Sequence, residues 1–161
     1  MKIVDLFCGC GGLSLGFQNA GFKIVAAYDK WQAALSVYQK NFEHECKMLD
    51  LSNIKDSVAE IESKHPDMII GGPPCQDFSS AGKRDEDNGR GDLTVNYAQI
   101  INSIRPKWFV MENVERITKT KKLIDAKKIF KEAGYGLSWQ VLDASKCGLA
   151  AYISEPIHRK A

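Results

Sequence analysis

The sequence predicts an α/β fold in which a mostly parallel sheet is flanked by helices. Two observations predict it. Short apolar runs alternate along the chain with stretches of helical period, the pattern of successive βαβ units. Four unusual local sequences, Phe7 to Gly12, Asp29, Gly72 to Gln76 and Glu112 to Val114, each follow directly on an apolar run. In parallel sheets ligands bind beyond the carboxyl ends of the strands, where all four would then lie.

The elements follow in order. IVDLF at 3–7 reads as a short buried strand that ends at Gly9-Cys10-Gly11-Gly12. Residues 13–20 carry Leu13, Phe17 and Ala20 at helical spacing, and Gly21 supplies a residue able to close the helix in the left-handed conformation. A second strand at 23–28 ends at Asp29, and a helix at 31–41 takes its apolar side from Ala34, Leu35, Val37 and Tyr38. A short third strand at 46–49 precedes a helix at 54–63, and Pro66 fixes the entry to a fourth strand at 67–70. The stretch 79–92 is polar, rich in Gly, Asp, Lys and Arg. Helical spacing returns at 93–104, and a fifth strand at 107–111 ends at Glu112-Asn113. Residues 123–133 form a lysine-studded amphipathic helix stopped by Gly134, and 137–142 reads as a further strand. No element is expected beyond Gly148.

A chain of 161 residues is one domain by length, and can bury roughly 70% of its unfolded surface without staples. A net charge of +2 permits a nucleic-acid partner without arguing for one. The cysteines, Cys8, Cys10, Cys46, Cys75 and Cys147, form no C-x-x-C and no Cys/His pair at ligand spacing, so reduced thiols and no metal are expected. His44, His65 and His158 are scattered and suggest no site. The opening MKIVDLF is too short an apolar run for a signal peptide and no stretch reaches the length of a membrane span, so a soluble, cytoplasmic protein is expected. The lysines at 119, 121, 122, 127, 128 and 131 read as a solvated helix face rather than a DNA-binding stripe, because Asp125 and Glu132 interrupt them.

Phe7-x-Gly9-x-Gly11-Gly12 after a first strand lets the backbone approach a ligand, with helix N–H groups facing it. About 20 residues on, Asp29 closes the second strand, where a carboxylate can accept from both hydroxyls of a ribose. Ser14 stands where the third glycine of the dinucleotide fingerprint would be, which makes a nicotinamide dehydrogenase a poor fit. Asp50 reads either as an acceptor for an adenine amino group or as a loop or helix-capping aspartate. Cys75 follows two prolines that restrict the backbone before it and is followed by a polar segment, unlike the other four cysteines, which are assigned to buried, small-apolar roles. Glu112 closes the apolar strand Trp108-Phe109-Val110-Met111, where partial desolvation would raise its pKa and suit it to donate a proton. A thiol beside an acid suits attack on an electron-poor ring whose nitrogen is being protonated.

DLFCGCGGLSLGF, GGPPCQDFS and MENV, in this order and at this spacing, resemble the C5-cytosine DNA methyltransferase family, and the likeness extends to about Gly148. The resemblance implies a Rossmann-like, S-adenosylmethionine-dependent methyltransferase fold, C-terminally truncated, acting on double-stranded DNA within a restriction-modification system. It implies that Cys75 adds to C6 of a flipped-out cytosine while Glu112 engages N3 and the exocyclic amine. C5 then takes the methyl group, and loss of the C5 proton expels Cys75. Phe7, Gly9, Gly11, Gly12 and Leu13 match the cofactor loop, and Asp29 the ribose-binding acid. Asp50, with Leu51 beside it, matches the adenine contact, and Pro74 and Leu93 match further parts of the cofactor pocket. Lys30 stands where many relatives carry an aromatic against the adenine, and Trp31 adjoins it. Gln76, Ser79 and Asn113 match positions near DNA, and the segment with Lys83, Arg84 and Arg90 resembles the loop that closes over it.

The family pattern breaks after Cys147-Gly148. LAAYISEPIHRKA stands in place of a Pro-Gln-x-Arg-x-Arg stretch, and 161 residues leave no room for a target-recognition region. The expected division is therefore a cofactor-binding and catalytic domain at 1–148 and a divergent tail at 149–161. A complementing chain that carries the recognition region is an expected partner. Two alternatives stay open at this point, a non-catalytic S-adenosylmethionine-binding remnant and a tRNA cytosine-C5 methyltransferase.

Overall fold

The computed structural model describes residues 1–74 and 92–143. Among these, the elements run β1 Lys2–Leu6, α1 Gly12–Asn19, β2 Lys23–Asp29, α2 Gln32–Asn41, β3 Glu45–Met48, α3 Ile54–Glu62, β4 Met68–Gly71, α4 Leu93–Ile104 and β5 Trp108–Met111. A 3-10 helix at Glu115–Lys119 and α5 at Lys121–Glu132 complete the series. The strands form one sheet in the order β3-β2-β1-β4-β5, every neighbour parallel. The chain thus winds outward from β1 to β3 and then crosses back to lay β4 on the other side of β1. The crevice between β1 and β4 is the point where strand order reverses, the place where open α/β sheets bind ligands.

Both faces of the sheet are covered, which is why its central strands read as apolar runs rather than as an alternation. Val4, Leu6, Ala26, Tyr28 and Ile69 pack against Ile61 of α3, the buried side of α4 and Ala126 and Phe130 of α5. On the opposite face Ile3, Ile24, Met68 and Ile70 meet Leu13 and Phe17 of α1, while Ala27 meets Leu35 and Tyr38 of α2. The helices start where side chains can accept orphan amides. Asn53 accepts from the Asp56 N–H at 3.3 Å, Asp92 from the Thr94 N–H at 2.8 Å and Thr120 from the Leu123 N–H at 3.3 Å. Gly21 and Gly134, at φ 85° and 84°, follow the ends of α1 and α5 as left-handed closers.

Two expectations are corrected. Residues 137–142 are not a strand, since they have no partner among the described residues and only Asp143 makes an isolated bridge. Strand propensity becomes a strand only through pairing, and this run does not take up the free side of β5. Trp139 and Leu142 stand 71% and 52% exposed there, and Lys127 Nζ lies 3.9 Å over the Trp139 ring. The second correction concerns β5. The apolar strand WFVM, expected to leave Glu112 partly desolvated, is the sheet edge among the described residues: Trp108 and Val110 are exposed, while Phe109 and Met111 pack inward. No helix among the described residues is long and apolar enough to cross a membrane.

Candidate functional site

Strand register assembles the site. Tyr28, Leu6, Gly71 and Met111 pair across the sheet in one row. The next residue on each strand is therefore Asp29, Phe7, Gly72 and Glu112, so residues far apart in sequence share one carboxyl edge. Phe7 turns there with φ 57°, a left-handed conformation that a non-glycine residue adopts only under constraint, and Gly9 follows at φ 51°. This abrupt turn sends the chain over the edge into α1.

Asp29 anchors the loop. Its Oδ2 accepts from the Gly9 N–H at 2.9 Å and its Oδ1 from the Trp31 N–H at 2.9 Å. An ionised carboxylate has about four acceptor sites, so each oxygen retains one for a ligand hydroxyl. Gly11 caps α1 and has no side chain to satisfy the first-turn amides, which leaves that turn open to a ligand's anionic group. Asp29, Gly9, Gly11, Gly12 and Leu13 are thus brought together as expected. Lys30 and Trp31 are exposed beside Asp29, Trp31 by 66%.

The other expected cofactor residues divide. Asp50 lies past the end of β3 in a turn, where Oδ1 accepts from the Ser52 N–H at 3.0 Å and its Oγ–H at 2.7 Å. Leu51 and Leu93 are buried, Leu51 in the main core and Leu93 at the first position of α4.

Beyond β4 and β5 lies an open cleft of about 420 Å³, lined by Gly72, Pro73, Pro74, Glu112, Asn113, Val114 and Arg116. Asn113 closes its floor, donating from Nδ2 to the Pro73 carbonyl at 2.7 Å while its Oδ1 accepts from the Val114 N–H at 2.9 Å. The two strand-end loops are therefore held together by a side chain assigned at first to the DNA surface. Glu112 Oε2 stands 3.1 Å from where a Cβ on Gly72 would be, so glycine there makes room for the acid. The expected desolvation of Glu112 is corrected: it continues the outer face of Trp108 and Val110 and is exposed. Cys75, Gln76, Ser79, Lys83, Arg84, Arg90 and Cys147 lie outside the described residues. Cys8 is buried as expected, but Cys10 is exposed in the glycine loop and Cys46 only half-buried. The described residues hold no group of three His, Cys, Asp or Glu able to hold a metal ion.

Sequence reasoning passed over a polar chain beneath the loop. Asp5, buried in β1, accepts from Ser14 Oγ at 2.6 Å, and Ser14 Oγ lies 2.7 Å from the Tyr38 hydroxyl. That hydroxyl lies 2.6 Å from His44 Nε2. One signal was available: Asp5 is a lone acid inside an apolar strand. Asp5 Oδ1 is buried without a partner, and burial pushes the Asp5 pKa from 3.8 up to about 7. A native pKa above the unfolded one means that the folded protein holds the extra proton between the two values. This contribution is complete below pH 4 and is lost as pH rises through 7, by on the order of 4 kcal/mol. Urea denaturation at pH 5 and pH 8 should show about 2–3 kcal/mol of that loss, the remainder falling below pH 5, and Asp5→Asn should flatten it.

The family model for C-5 cytosine-specific DNA methylase matches residues 1–151. Over 149 residues the chain is 57% identical to the type II methyltransferase M.HindV of Haemophilus influenzae, covering 92% of this chain and 49% of that protein. It is 54% identical over 149 residues to M.HgiDI of Herpetosiphon aurantiacus, covering 92% and 48%. Among solved structures, the S. pombe Dnmt2 methyltransferase superposes with a TM-score of 0.73 at 21% identity, over 91% of this chain and 44% of that one, a likeness of fold. The chain spans about half the length of the curated relatives it matches.

Proposed function

The chain belongs to the C-5 cytosine-specific DNA methylase family, and from that membership we infer that it is the cofactor-binding and catalytic portion of a type II DNA cytosine-C5 methyltransferase. Its substrate is double-stranded DNA, its methyl donor S-adenosylmethionine and its compartment the cytoplasm. We assign the choice of DNA sequence to the half of the relatives' length that this chain does not span, carried by a further segment or a complementing chain. One observation supports the reading above the rest: register gathers Asp29, the Phe7 loop, the Gly72-Pro73-Pro74 turn and Glu112 on a single edge.

The donor's demands fit the residues present. Asp29 retains acceptor sites for the ribose hydroxyls, and the open first turn of α1 suits the carboxylate of the methionine moiety. When bound, S-adenosylmethionine supplies a methyl group on a positively charged sulfur. Cys75 follows directly on Pro74 at the cleft and is the nucleophile in this reading; its thiolate adds to cytosine C6. Glu112 faces the cleft and donates to the ring side bearing N3, so that charge does not build up on the base as the C–S bond forms. Asn113 ties the loop that carries Glu112 to the Pro73 turn that precedes Cys75 in the chain. After methylation water takes the C5 proton, the electron pair that returns to the C5–C6 bond expels Cys75 as thiolate, and N3 returns its proton to Glu112. Among the described residues nothing favours the tRNA-methylating or the non-catalytic alternative.

Calorimetric titration with S-adenosylmethionine tests the cofactor part. The expected result is saturable one-to-one binding, weakened about 10- to 100-fold by Asp29→Ala, which removes charge-assisted hydrogen bonds of about 1.5–3 kcal/mol each. A folded chain that gives no heat with S-adenosylmethionine or S-adenosylhomocysteine would overturn it.

A further inference from the structure

We propose that Tyr38 and His44 are positioning residues for the glycine loop, so that the grip of the loop on its ligand depends on a histidine outside the ligand site. The inference rests on the reading of that loop as the cofactor site.

Tyr38 sits fully buried on α2 and meets the loop twice. Its ring lies under Gly11: a Cβ built there would come within 3.0 Å of Tyr38 Cδ2 and would overlap the Phe42 ring. Gly11 also has φ 97°, so glycine is required both for its backbone and for the aromatic floor. The Tyr38 hydroxyl meets Ser14, in the first turn of α1, at 2.7 Å. Phe42 packs on Tyr38 at 4.4 Å between ring centroids, and His44 stands edge-on to Tyr38 at 5.5 Å. One aromatic cluster therefore supports both the tip of the loop and the start of the helix that follows.

Donor counting makes His44 necessary. An ionised Asp5 can only accept, so the Ser14 hydrogen goes to Asp5, and Ser14 must accept from Tyr38. The single Tyr38 hydrogen is then spent, and its contact with His44 requires a hydrogen on Nε2. An Asp5 protonated on Oδ2 and donating to Ser14 reverses every donor in the chain, and His44 Nε2 becomes the terminal acceptor. Either way His44 completes the chain, and without it the Tyr38 hydroxyl keeps Ser14 as a partner and loses its second hydrogen bond. Glutamine can serve both polarities from its side-chain amide, whereas leucine serves neither.

The test compares His44→Leu, His44→Gln and Tyr38→Phe in the full chain, each confirmed folded by circular dichroism. The dissociation constant of S-adenosylhomocysteine is expected to rise about three- to tenfold in His44→Leu and Tyr38→Phe, the loss of one net hydrogen bond. His44→Gln should restore it to within twofold (about 0.4 kcal/mol). Amide exchange at Gly11 and Leu15, whose N–H groups bond to Cys8 and Gly11 carbonyls at 2.8 and 2.9 Å, should quicken in the same two variants and recover with glutamine. Wild-type affinity and wild-type exchange in a folded His44→Leu would overturn the proposal, as would equal losses in His44→Gln. If the unmodified chain does not bind S-adenosylhomocysteine, the cofactor reading fails by itself, and the exchange comparison still decides whether His44 positions the loop.

Discussion

Cys75→Ala is expected to reduce methyl transfer to duplex DNA by on the order of 10⁴-fold or more, because removing a nucleophile deletes the covalent route rather than weakening it. Transfer would be measured with a radiolabelled donor, on this chain together with the segment or partner that completes it. Affinity for S-adenosylmethionine should stay within twofold (about 0.4 kcal/mol), since the proposed reading assigns that ligand to Asp29 and the Gly9 loop rather than to Cys75. A variant that retains a tenth of the activity (a loss of about 1.4 kcal/mol) would reject Cys75 as nucleophile. Glu112→Gln, which keeps shape but not acidity, should lower the rate about 10²- to 10⁴-fold, the range for a positioned general acid.

Gly71→Ala is expected to destabilise the fold by about 3 kcal/mol, with a fall in melting temperature of roughly 10 °C. A Cβ there would stand 2.7 Å from the Leu6 carbonyl oxygen and 2.9 Å from Tyr97 Cε2. Neither neighbour can retreat. Leu6 belongs to the central strand, and the buried Tyr97 hydroxyl shares its hydrogen between the Ile69 and Val110 carbonyls at 3.2 and 3.0 Å. Gly72→Ala is the informative contrast, because its new methyl would meet the exposed carboxylate of Glu112. Melting should then shift little while transfer falls. Thermal unfolding of both variants, measured beside activity, separates the residue that builds the edge from the one that clears space on it.

The fold was legible because its signals are local and repeated. Apolar runs, helical spacing, and closing residues such as Gly21 and Gly134 each mark one element without reference to the others. The candidate site was legible for a different reason: strand-end residues of a parallel sheet must share an edge, whatever their separation in sequence. Legibility stopped where a property depended on neighbours. Glu112 read as partly desolvated because it closes the apolar run WFVM, and only the sheet order shows that run at the rim. Residues 137–142 have the composition of a strand, but pairing with a neighbour is not written in composition. The Asp5–Ser14–Tyr38–His44 chain joins four ordinary residues from β1, α1, α2 and the loop after it, and no spacing rule connects them.

The sheet order also sets a timetable for synthesis. β1 is made first yet lies at the centre, with β2 on one side and β4 on the other. The nascent chain can join β1, β2 and β3 as soon as Met48 is out of the ribosome, but β4 follows only with Gly71. At about 5–20 residues per second, the interval is roughly one to five seconds. Throughout it the second edge of β1, carrying Ile3, Val4 and Leu6, is an open template for any passing strand. Substitutions that slow the docking of β4, Gly71→Ala among them, lengthen that exposure, and their first consequence in a cell is a lower yield of folded protein.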